Sequence, residues 1–134
     1  KDFLIIDFEG EPARPISERR LKRSPIRDLA GMIRSFHYAV YTVFYRRISV
    51  RPESGELLEK WLKPWHQVIS GVYLRSYLDA AGKASFIPSR TKDLETLLQA
   101  YLLEKAVYEL GYELNNRPDW TTIPLLGIED ILST

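Results

Sequence analysis

Between Ser24 and Asn115 the apolar residues recur every three or four positions in three successive blocks, the spacing of helices with one buried stripe. The first block runs through Ile26, Leu29, Ala30, Ile33, Phe36, Val40, Val43 and Phe44 and predicts a helix to about Arg47. Its start is marked by Ser24-Pro25: a serine oxygen can accept from free N–H groups of the first turn, and a proline there gives up a donor that has no partner anyway. "RPESG" interrupts the pattern. The second block, Leu58, Trp61, Trp65, Val68, Ile69, Val72 and Tyr73, ends near the helix-terminating Gly82. Pro64 lies inside it, which predicts a kink or two consecutive helices. The third block, Leu94, Leu97, Leu98, Tyr101, Leu102, Val107 and Leu114, starts after Thr91 with Asp93 and Glu95 in its first turn and runs to about Asn115.

Outside these blocks the pattern changes. Phe3 to Asp7 is a short apolar run closed by a turn, and predicts a strand. Residues 9–24, rich in proline and charge, read as loop, as does "NNRPDW"; "PLLGIEDILS" reads as a short final helix or turn. The expected fold is therefore mainly α: a short N-terminal strand, three long helices and a short C-terminal helix. A lone strand cannot satisfy its own backbone groups, so its partner strands are expected upstream. The abrupt start at Lys1 fits a single partial domain over 1–134, cut from a longer protein.

Composition removes several function classes. With 134 residues and 45% hydrophobic content the chain can bury a core. The absence of cysteine excludes a disulfide scaffold and a thiolate metal site. No apolar run approaches the roughly 20 residues of a membrane span and no signal peptide opens the chain, so a cytoplasmic protein without a membrane partner is expected. The formal net charge of +1 is unlike a polyelectrolyte binder. The basic run "ARPISERRLKRSPIR" is interrupted by Glu18 and Asp28 and carries no aromatic residues to stack on bases. It reads as a solvated or phosphate-facing loop, not as a nucleic-acid site.

Two constellations carry candidate chemistry. In "FLIIDFEGEPARP" Asp7, Glu9 and Glu11 follow the strand closely. Clustered carboxylates suit Mg²⁺, yet a solvated turn has the same composition, and the residues by themselves leave both readings open. On the third helix Lys105, Tyr108 and Tyr112 are spaced three and four apart, so they share a face. Phenol rings can cover the C–H side of a sugar ring while hydroxyl and ammonium groups bond its hydroxyls; the residues alone read more simply as tyrosines at the edge of a core. Glu104, Glu109 and Glu113 are expected on the exposed face. His37 and His66 lie in no catalytic motif and read as helix surface or satisfied core. For Asn115, Asn116, Arg117 and Trp120 the expectation is a helix-ending and packing role.

The segments "IIDFEGEPARPISERRLKRSPIRDLAGMIRSFHYAVY" and "LLEKAVYELGYELNNRPDW" together resemble the C-terminal part of bacterial maltokinases, which occur alone or fused behind trehalose synthase. The resemblance covers nearly all of the chain and implies the helical C-lobe portion of a kinase-like fold. It implies ATP and Mg²⁺ as cofactors, maltose as acceptor and maltose 1-phosphate as product, with trehalose synthase as a partner. Asp7-Phe8-Glu9-Gly10 stands where protein kinases carry Asp-Phe-Gly, which makes Asp7 the metal ligand; the additional Glu9 is either a second ligand or part of the turn. "RDLAGM" resembles an aspartate anchor for the catalytic loop, which gives Asp28 a supporting role. Lys105, Tyr108 and Tyr112 match the maltose-site pattern. The general base and the nucleotide lobe are expected upstream, so the chain alone is expected to be inactive. The competing expectation is a helical assembly module that docks onto trehalose synthase.

Overall fold

The computed structural model describes residue 4 and residues 14–133, which form a mainly α fold. The helices are α1 (Ile16–Arg19), α2 (Ile26–Val50), α3 (Gly55–Ala81), α4 (Thr91–Asn116) and α5 (Thr122–Leu132), with one-turn 3₁₀ helices at Pro52–Ser54 and Pro118–Trp120. The described residues contain no strand; the run Phe3 to Asp7 lies outside them, apart from Leu4.

Local chemistry accounts for the element ends. Ser24 Oγ accepts the Ile26 N–H at 3.3 Å, so the residue that precedes Pro25 opens α2 as its side chain suggests. Gly82 ends α3 with φ 56° and ψ −121°, a backbone region that a side chain would strain, and its N–H returns to the Leu78 carbonyl at 2.9 Å. α3 runs through Pro64 as one helix. α1 appears where loop was expected. Pro15 supplies a preset φ of −57°, its carbonyl accepts from Glu18 and Arg19, and Arg14 pairs with Glu18 one turn on.

α2 is the central helix, packed along both α3 and α4, while α5 lies mainly on α4 and reaches α2. Ile26, Leu29 and Ile33 of α2 join Leu94 of α4 in the core, flanked by Tyr73, Leu74, Tyr77 and Leu78 of α3. Burying each of the three α2 side chains stabilises the fold by roughly 1.5–3 kcal/mol.

The predicted stripes need correction at three places. On α3 the face toward α2 uses Leu58, Leu62, His66, Ile69 and Tyr73, and the neighbouring row Leu57, Trp61, Trp65, Val68 and Val72 is exposed, Trp61 to 64%. The two apolar rows lie about 100° apart on the helix, and periodicity alone cannot choose between them. Val43 on α2 is exposed as well, and so are Val107 and Leu114 on α4, whose second half turns a polar face inward.

Candidate functional site

A cleft of about 730 Å³ lies between the first half of α2 and the second half of α4, within the usual range of roughly 300–1,000 Å³ for small-molecule sites. Helical geometry puts its α4 wall together. Lys105, Tyr108, Glu109, Tyr112 and Glu113 differ by three or four positions, so they form one contiguous face. The α2 wall carries Arg27, Asp28, Gly31, Ser35 and Tyr38, again one helical face.

Every described residue that the sequence singled out as a site lines this cleft. Lys105 Nζ stands 4.7 Å from the centre of the Tyr108 ring, Tyr108 is half-buried, and Tyr112 is 46% exposed, so neither phenol is enclosed in the core. Asp28 lies in the first turn of α2, exposed, and its carboxylate has no side-chain partner among the described residues. Asp7 and Glu9 lie outside the described residues, and among the described residues no group of three or more His, Asp or Glu side chains is placed to hold a metal ion.

The cleft floor is polar, which the sequence reading missed. Glu109 and Glu113 were expected at the surface; both point inward because cationic and hydroxyl partners await them. Arg34, 3% exposed, donates from Nε to Glu109 Oε2 at 2.9 Å, with Nη2 2.7 Å from the same oxygen. Glu113, 1% exposed, accepts the Tyr38 hydroxyl at 3.1 Å and two Arg117 donors, Nε at 2.9 Å and Nη2 at 2.6 Å. A buried charge without such partners would be prohibitive. Only Glu104 is exposed as expected, and at the mouth it meets Arg14 Nη2 at 2.8 Å and Arg27 Nε at 3.9 Å. The spacing carries only a conditional signal: if the face that holds Lys105 and Tyr108 turns inward, Glu109 and Glu113 turn with it.

Electrostatics follow from this burial. Desolvation pushes the Glu109 carboxyl upward, and Arg34 opposes the shift. The Tyr38 phenol is raised far above its ordinary range, first by burial and then by Glu109 and Glu113, so it remains a hydrogen-bond donor at any physiological pH. Behind the floor His37 is 2% exposed, and neither ring nitrogen has a hydrogen-bond partner. It is a core residue, but not a satisfied one. Burial, then the Arg34 and His66 charges, hold it down to about 3. His66, 5.3 Å away between ring centres, has Nε2 within 3.2 Å of the Ile33 carbonyl.

A glucosamine kinase from Streptacidiphilus jiangxiensis is 25% identical to the chain over 132 residues, which covers 97% of this chain and 27% of the relative's length. No family model matches the chain. The similarity supports a kinase-like relationship, to a sugar kinase, and does not identify an acceptor.

Proposed function

We propose that the chain forms the acceptor side of an ATP-dependent sugar kinase, and that its acceptor is maltose, phosphorylated to maltose 1-phosphate. The observation that carries this reading is the shared cleft of Lys105, Tyr108, Tyr112 and Asp28. The half-buried Tyr108 and the more exposed Tyr112 offer ring surface for the C–H side of a pyranose, and the polar floor offers donors and acceptors for its hydroxyls. Asp7 would hold the Mg²⁺, with Glu9 as a further candidate ligand, and the metal would supply positive charge to offset that of the transferring phosphoryl group. Asp28, exposed and without a side-chain partner among the described residues, is suited to accept backbone N–H groups from a neighbouring catalytic loop.

The carboxylates argue for a neutral sugar over an amino sugar. An ammonium group on the ligand needs an available carboxylate, but Glu109 is matched by Arg34, Glu113 by Arg117 and Tyr38, and Glu104 by Arg14. Among the described residues of the cleft Asp28 is the exception, and an amino sugar such as the relative's glucosamine would find a carboxylate there. In the intact protein, maltose should be the better acceptor, and Tyr112→Ala should raise the maltose KM by roughly 10-fold, the equivalent of about 1.4 kcal/mol, with the ATP KM unchanged. A clear preference for glucosamine, or a Tyr112→Ala variant with unaltered maltose kinetics, would overturn the assignment.

A second reading, an assembly module that docks onto a partner such as trehalose synthase, draws on the exposed α3 row that contains Trp61 and Trp65. Its test is independent of the cleft. Trp61→Lys with Trp65→Lys should abolish co-elution with trehalose synthase and leave maltose kinetics intact; unchanged co-elution would remove this reading.

A further inference from the structure

The end of α4 carries an arrangement that the acceptor reading does not use. Arg117 caps the helix: its backbone N–H donates to the Glu113 carbonyl at 2.8 Å, and its side chain forks onto the buried Glu113 carboxylate through Nε and Nη2. Two donors on two oxygens fix the plane of the guanidinium as well as its position. Its Cζ lies 5.6 Å from the centre of the Tyr112 ring and 4.9 Å from that of the Trp120 ring, both within cation–π reach. Trp120 belongs to the 3₁₀ turn Pro118–Trp120 and lines a separate small cleft, not the one that holds Tyr112.

Among the described residues the Tyr112 side chain has no hydrogen bond and no ring contact other than the one with Arg117. A tyrosine that is 46% exposed on a helix surface keeps rotamer freedom, and a ligand that stacks on it must first remove that freedom. We propose that Arg117 is a positioning residue: anchored by Glu113 and braced by Trp120, it fixes the Tyr112 ring as the wall on which the acceptor stacks. The inference rests on the reading of this cleft as the acceptor site. It requires an arginine, because a lysine can keep the charge next to Glu113 but has neither the fork nor the flat face.

Trp120 makes the test specific. Trp120→Leu removes the brace without altering either partner of the Arg117–Glu113 fork, and Trp120 is not among the side chains that line the larger cleft. In the intact kinase, Arg117→Lys and Trp120→Leu should each raise the acceptor KM by roughly 3- to 10-fold, with kcat and the ATP KM within about twofold of the parent. In a Tyr112→Ala background, Trp120→Leu should add nothing, since the ring to be positioned is gone. If Arg117→Lys fails to fold, the Trp120→Leu cycle carries the test alone. Trp120→Leu with an unchanged acceptor KM, where Tyr112→Ala raises it, overturns the positioning role and leaves the acceptor site standing. An unchanged acceptor KM in Tyr112→Ala itself removes the acceptor site and the positioning role together.

Discussion

Arg34 of α2 and Glu109 of α4 meet in the interior, with Nε 2.9 Å and Nη2 2.7 Å from one carboxylate oxygen. The pair ties the two cleft walls together, and Arg34 also lies against Gly127 of α5, where a Cβ would overlap its guanidinium. One side chain thereby sets the mutual placement of three helices.

Breaking this pair on one side should be far worse than removing it. Arg34→Met leaves Glu109 buried without its cation and is expected to destabilise the fold by about 3–5 kcal/mol, whereas Arg34→Met with Glu109→Leu should recover most of that loss. Urea unfolding of the two single variants and the double variant measures the recovery. Strictly additive losses would show that the pair is not a coupled unit.

Gly127 and Gly71 should respond in opposite directions to alanine. At 127 the new methyl collides with the Arg34 guanidinium, with an expected loss of about 1–3 kcal/mol; at 71 a Cβ meets nothing within 4 Å, and the better helix former should add about 0.5–1 kcal/mol. Thermal midpoints that fall for Gly127→Ala and rise for Gly71→Ala meet this expectation. Equal responses contradict it.

His37 makes stability depend on acidity. Its pKa is about 3 in the folded protein against an ordinary 6.5, so below pH 6.5 the unfolded chain binds a proton that the folded chain refuses. The contribution of a neutral His37 is fully present above pH 6.5 and is lost as pH falls toward 3, at up to about 1.4 kcal/mol per pH unit for one proton. His66, lowered first by burial, acts in the same direction. Denaturant midpoints between pH 7 and pH 4 should therefore fall less steeply in His37→Phe than in the parent. Parallel curves would refute the assignment.

Asp7 is expected to act on rate, not on acceptor binding. In the intact protein Asp7→Asn removes the charge proposed to hold Mg²⁺, so kcat should fall by orders of magnitude with little change in maltose affinity. Retained rate in Asp7→Asn and loss in Glu9→Gln would transfer the ligand role to Glu9.

The sequence by itself determined the helices. Apolar repeats at three and four positions, Ser24 with Pro25, Gly82 and Thr91 define α2, α3 and α4 closely, because these signals are local: they depend on backbone donors and side chains within one turn. It also determined that Lys105, Tyr108 and Tyr112 share a face, since the helix fixes that geometry whatever surrounds it. Which face turns inward was decided only by the tertiary structure. α3 has two apolar rows, and the row with Leu62 is the one that meets α2; α4 sends Glu109 and Glu113 inward because Arg34 and Tyr38, about 75 positions earlier, supply their counter-charge and donor. No local pattern encodes a partner that far away. Burial of an ion pair is a property of two helices at once, and the spacing of either helix alone cannot contain it.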